Sequence, residues 1–169
     1  LDIIFKKKDL TDFNQQDILN MDKTQDELKN LLLADFPKIQ FISPASLIKN
    51  ANYAYTGDKK IPDNEAATSV IFSQLPQSLK SGFVEQSLYR ITILNPTLPT
   101  EKYMSMLKTI EINLKQDQSL YDFSFNGLNY TLMLSQQNLV HSLLISLGLS
   151  IVLVCLIVGI SFRKPKKLI

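Results

Sequence analysis

The sequence predicts an α+β domain followed by one transmembrane α-helix, and three observations carry that reading. Leu139 to Phe162 is a run of 24 residues without Asp, Glu, Lys or Arg. At 1.5 Å rise per residue it is roughly 36 Å long, enough to cross a hydrocarbon core of about 30 Å with some tilt. The residues ahead of it mix two periods: alternation around 87–93 and 121–126, and helical stripes over 11–35 and 100–116. The only cysteine, Cys155, falls inside the apolar run, so the preceding 138 residues hold together by their core and not by disulfides.

Charge orients the chain. Arg163, Lys164, Lys166 and Lys167 follow the apolar run directly, and Pro165 stops the helix among them. The positive-inside rule puts residues 163–169 in the cytoplasm and residues 1–138 outside it. Sixteen acidic and fourteen basic residues precede the span, a formal charge of −2, which argues against a nucleic-acid partner. The chain opens on Leu1 with no apolar signal-like segment behind it. An outward-facing domain then requires an earlier span or a cleaved signal, so the sequence is expected to be a piece of a longer polypeptide.

Leu1 to Lys7 reads as a strand with Leu1, Ile3 and Phe5 on one side. From Thr11 to Asp35, Phe13, Ile18, Met21, Leu28, Leu31 and Leu32 form one helical stripe that Pro37 closes. Ile39 to Ile42 is a second strand, and Ser43-Pro44 opens a small helix carrying Leu47 and Ile48. Asn50 to Pro62 has loop chemistry, with a turn at Thr56-Gly57-Asp58. Asp63 is the expected N-cap of a helix carrying Val70, Ile71 and Leu75 as far as Pro76. Tyr89, Ile91 and Ile93 then alternate with Leu88, Arg90 and Thr92 in a strand. Thr100 is expected to cap a helix whose stripe is Tyr103, Leu107, Ile110 and Leu114. Tyr121, Phe123 and Phe125 form a last strand before Gly127, and 128–138 is a connecting helical segment leading to the span. Strand, helix, strand, helical insertion, strand, helix, strand is a split βαβ order of the ferredoxin-like kind, filling residues 1–127.

Candidate residues concentrate in the span, residues 139–162. Ser142, Ser146 and Ser150 recur every four residues, and Cys155 and Gly159 repeat that spacing further on. In lipid such small residues let a second helix approach closely and let hydroxyls bond across the contact. The plainer reading is a serine bonding its own backbone at i−4. His141 lies about one turn inside the outer end, where an imidazole reaches water; it is either a protonatable group in a conduit or an interfacial amphipathic residue. No catalytic, metal or cofactor site is predicted, because nucleophilic triads and zinc sites draw on His or Cys and the chain's only His and Cys belong to the span. Asp117 with Asp122, and Asp58 with Asp63 and Glu65, lack the spaced ligands of a calcium loop and read as solvated loop charges.

Several segments carry a family resemblance: Leu33 to Pro37, Ser43-Pro44-Ala45-Ser46-Leu47-Ile48, Ile61-Pro62, Ser87 to Ile93, Phe125-Asn126-Gly127-Leu128 and above all Ser135 to Ile169. With Leu139, Ser142, Leu143, Ser146 and the closing Phe162-Arg163-Lys164, the chain resembles the MMPL-like, hydrophobe-exporting branch of the resistance-nodulation-division (RND) superfamily. The resemblance implies one porter-type domain and the helix that follows it, closer to the second half of such a protein than the first, in a bacterial inner membrane. It implies proton-driven export of lipids or other hydrophobic molecules, with further transmembrane helices as partners. The family's proton-relay carboxylates lie in a middle helix of each half, and no Asp or Glu occurs between Leu139 and Phe162, so no coupling residue transfers and this chain by itself is expected to be inactive. The competing expectation is the ligand-binding ectodomain of a single-pass receptor or sensor; a membrane-anchored scaffold is a third.

Overall fold

The structure, a computed structural model, describes residues 1–9, 14–85, 87–116 and 121–162. Thr11, Phe13, Asp117 and the basic residues after Phe162, all named above, lie outside those residues. The chain divides into two compact units, Leu1–Leu128 and Asn129–Ile169.

The first unit is α+β, built on an antiparallel sheet. Its strands are β1 (Asp2–Lys7), β2 (Gln40–Ile42), β3 (Val84–Glu85), β4 (Leu88–Leu94) and β5 (Tyr121–Asn126), in the order β2-β4-β1-β5 with β3 folded back on β4. Both β1 and β2 run antiparallel to β4, which lies between them, so they are parallel to each other. By the same logic β4 and β5 are parallel with β1 between them. The helix α1 (Gln15–Leu33) joins the first such pair and α5 (Thr100–Gln116) the second.

Alternation places the core on one face of this sheet. Ile3, Phe5, Tyr89, Ile91 and Ile93 are buried, and register pairs Phe5 with both Tyr89 and Phe123. Against them lie Ile18, Met21, Leu28 and Leu32 of α1 and Tyr103, Met106, Leu107, Ile110 and Leu114 of α5, all buried. Phe5 stacks on Tyr89 with centroids 4.8 Å apart, an arrangement that adds specific geometry to apolar burial. The other face is polar at its centre: Thr92 Oγ1 donates to Asp2 at 2.7 Å, and Arg90 reaches Asp2 and the Gly82 carbonyl while lying 5.2 Å over the Phe83 ring.

Four expectations are corrected. The segment from Asn50 is not loop as far as Thr56, because α2 runs from Pro44 to Thr56. A reciprocal Ser43–Ser46 capping box and Pro44 at the first turn start it, and Gly57 stops it at φ 80, a left-handed conformation that glycine adopts without a Cβ penalty. Asn64, not Asp63, caps α3 (Glu65–Gln74); its Oδ1 accepts from the Ala66 N–H at 2.9 Å. The first intrahelical bond of α5 runs from the Tyr103 N–H to the Pro99 carbonyl, so Thr100 stands one place inside the helix and not at its cap. Leu31 and Val70 are exposed, at the margins of their stripes. Between α3 and β3 a further helix, α4 (Gln77–Phe83), buries none of its side chains, so it carries no apolar stripe to reveal it.

Among the polar residues buried with the core, Lys7 and Asp17 form a charged pair. Its atoms lie 2.9 Å apart with side chains 9% and 4% exposed. Removing one member breaks the 2.9 Å contact between two buried charges, and breaking a buried pair typically costs about 3–5 kcal/mol. Asp17→Asn is therefore expected to destabilise the domain by about that amount in denaturant unfolding followed by circular dichroism. The Lys7→Met, Asp17→Asn double variant should recover part of the loss, and a loss under about 0.5 kcal/mol for Asp17→Asn would show the pair to be dispensable.

Candidate functional site

The described residues of the second unit form a single helix. α6 runs unbroken from Leu128 to Phe162, 35 residues, and is long and apolar enough to cross a membrane. Residues 128–138, expected as a connecting helical segment, are continuous with the apolar run in this helix. About 20 residues span a hydrocarbon core, and 35 give about 52 Å, so α6 has about four turns to spare.

Helix geometry sorts the predicted residues into two faces. At about 100° per residue, four-residue steps keep Ser142, Ser146 and Ser150 within a sector of about 80°. The Ser150 hydroxyl donates to the Ser146 carbonyl at 2.9 Å, the local i−4 bond. From Ser150 to Cys155 the step is five, which swings about 140° further round, so Cys155 and Gly159 do not continue the serine groove. They share a sector of about 40° with His141 and Gly148 instead, because 141, 148 and 155 are seven apart and 159 follows four later. All of these residues are exposed, and a Cβ at Gly148 or Gly159 would meet nothing within 4 Å.

The first unit holds a polar constellation that sequence reading missed. Asp17 is the third residue of α1 and belongs to its reciprocal cap: the Asp17 N–H donates to Asn14 Oδ1 at 3.1 Å and the Asn14 N–H to Asp17 Oδ2 at 2.8 Å. The same carboxylate accepts from Lys7 Nζ on β1 at 2.9 Å and from the Tyr121 hydroxyl on β5 at 2.6 Å. Asn20, one turn along α1, donates to the Tyr121 oxygen at 3.2 Å. Burial pushes the Tyr121 phenol up to about 12, and its bond to the Asp17 carboxylate adds to the shift because ionisation would oppose two anions. A signal was present: Lys7 is in phase with Ile3 and Phe5, and Asp17 adjoins Ile18 on the buried stripe of α1.

Elsewhere in this unit, α2 and α3 enclose an open groove of about 420 Å³ with an almost wholly apolar lining that includes Tyr55, Ala67, Val70 and Ile71. Tyr55 and Val70 are 69% and 54% exposed. The Tyr55 hydroxyl closes one part of the rim by donating to Gln74 Oε1 at 2.9 Å.

No protein-family model matches the chain, and comparison with curated proteins and with solved structures finds no match either. Function is therefore argued from the chain's own geometry.

Tyr121 gives a pH test. Its native pKa is raised from 10.0 to about 12, so above pH 10 the unfolded chain loses this proton while the folded chain keeps it. The stabilisation it contributes is complete below about pH 10 and lost as pH climbs through about 12. In denaturant titrations, wild type is expected to be more stable than Tyr121→Phe at pH 7, with the gap closing between pH 10 and 12; a gap independent of pH would contradict the assigned bonds.

Proposed function

We propose that this chain is one extracytoplasmic domain, with the membrane helix that follows it, of a proton-driven exporter of lipids or other hydrophobic molecules, of the MMPL-like branch of the RND superfamily. The domain is a ferredoxin-like split βαβ unit. What supports that assignment is the interleaving of two parallel strand pairs, β1 with β2 and β4 with β5, each joined by a helix. Residues 1–138 face outward from a bacterial inner membrane and residues 163–169 face the cytoplasm, on the strength of the basic cluster after the span.

The observation that carries the functional reading is the junction. β5 ends at Asn126 and α6 begins at Leu128, leaving Gly127 alone between sheet and helix. A tether needs no such economy. An exporter does, because proton-driven shifts of membrane helices must reach the substrate route outside, and a continuous helix joined to a sheet strand transmits displacement. The apolar groove between α2 and α3 suits a hydrophobic cargo. The serine face and the His141–Gly148–Cys155–Gly159 face give α6 two sides on which neighbouring helices can pack closely. The span contributes no carboxylate, so the proton relay belongs to other helices of the assembly.

Inserting a flexible Gly-Ser stretch after Gly127 in the complete protein is expected to abolish export while the domain keeps its circular dichroism. A receptor or scaffold that uses α6 only as an anchor would tolerate the insertion. Undiminished transport by the inserted protein would overturn the coupling and return the chain to the anchored-domain reading.

A further inference from the structure

Between α1, α5 and the sheet lies a cavity of about 140 Å³ that the export reading does not use. Its floor is aromatic. Phe5 and Tyr89 are stacked with 11° between their planes, Tyr121 meets Tyr89 edge-on at 5.3 Å, and Phe123 lies opposite Phe5 in the strand register. The floor is held from behind, because Tyr121 is fixed by Asp17 and Asn20. A preformed surface of this kind spares a ligand the cost of ordering it.

The polar groups around the opening are unequal. Asn20 is engaged with Tyr121, and Thr24 donates its hydroxyl to the Asn20 carbonyl at 3.0 Å. Lys23 and Glu27 face each other at 3.7 Å, so the mouth carries no net charge. Asn113 differs: it is half-buried, lines the cavity, and its side-chain amide makes no hydrogen bond with any other described residue. Its amide offers both donors and an acceptor to a complementary group.

Size selects the rest of the ligand. A closed apolar cavity of about 150 Å³ accommodates benzene, and this partly open one, of mixed polar and apolar lining, has room for a single six-membered ring. We propose that the cavity binds a neutral one-ring aromatic molecule bearing a primary amide or hydroxyl, its ring against the aromatic floor and its polar group paired with Asn113. The site lies wholly within the first unit and stands independently of the membrane reading.

The test uses the full chain in lipid nanodiscs with labelled Leu and Ile methyl groups, titrated with benzamide and with toluene. Leu114 reports the cavity, and Ile160, in the span, reports partitioning into lipid. Benzamide is expected to shift the Leu114 methyls saturably, and toluene to do so at least about fivefold more weakly. Asn113→Ala should weaken benzamide by about fivefold and leave toluene unchanged. Absence of a saturable Leu114 shift up to about 10 mM, equal affinity for the two probes, or an Asn113→Ala variant that binds benzamide like wild type would each overturn the proposal.

Discussion

A carboxylate inside an apolar core is costly unless its oxygens find donors, and Asp17 finds them by drawing three separate parts of the chain together. Lys7 arrives from β1, Tyr121 from β5, and the Asn14 N–H from the cap of α1 itself. The contacts with Tyr121 and Lys7 span 104 and 10 residues of sequence. Satisfying one side chain thus fixes where α1 starts, how it sits over the sheet, and where the edge strand β5 lies. The aromatic row from Phe5 through Tyr89 to Tyr121 is set beside this point, so the cavity floor inherits its rigidity from the same charge. β5 is also the strand from which the chain leaves for α6, which makes its anchoring the mechanical base of the proposed coupling.

Elements whose burial repeats regularly were legible in the sequence. β1, β4 and β5 each alternate one apolar face with one polar face, and α5 carries Tyr103, Leu107, Ile110 and Leu114 as read from spacing alone. The apolar span needed only its length and lack of charge. What was not legible depended on local competition or on distance. Asp63 and Asn64 are both good caps, and only the chain's path selects Asn64. The Asn, Tyr and Ala residues of 50–56 read as loop by composition, yet the Ser43 cap and Pro44 had already committed the backbone to helix, which persists to Gly57. The Lys7–Asp17–Tyr121 cluster joins positions that no local pattern connects, although charged residues in phase with apolar ones mark each separately.

The span shows how a small arithmetic difference changes a functional reading. A step of four and a step of five between small residues look alike in sequence, but on a helix they separate the serines from Cys155 and Gly159 by about 100° or more. His141 thereby joins the glycine face and leaves the serine face. A helix with two narrow sides suits the interior of a bundle, where backbones approach from more than one direction and van der Waals packing does the work that water does for soluble helices.

The central claim is that α6 crosses a bilayer and carries the α+β unit on the outer side. In a Cys155→Ala background, Asp58→Cys and Lys167→Cys place single thiols before and after the span, and an impermeant maleimide reads their sides in intact cells. The account predicts labelling at position 58 in intact cells and at position 167 only after permeabilisation. Labelling at 167 but not at 58 would contradict the orientation, and labelling of both in intact cells would contradict a membrane crossing between them.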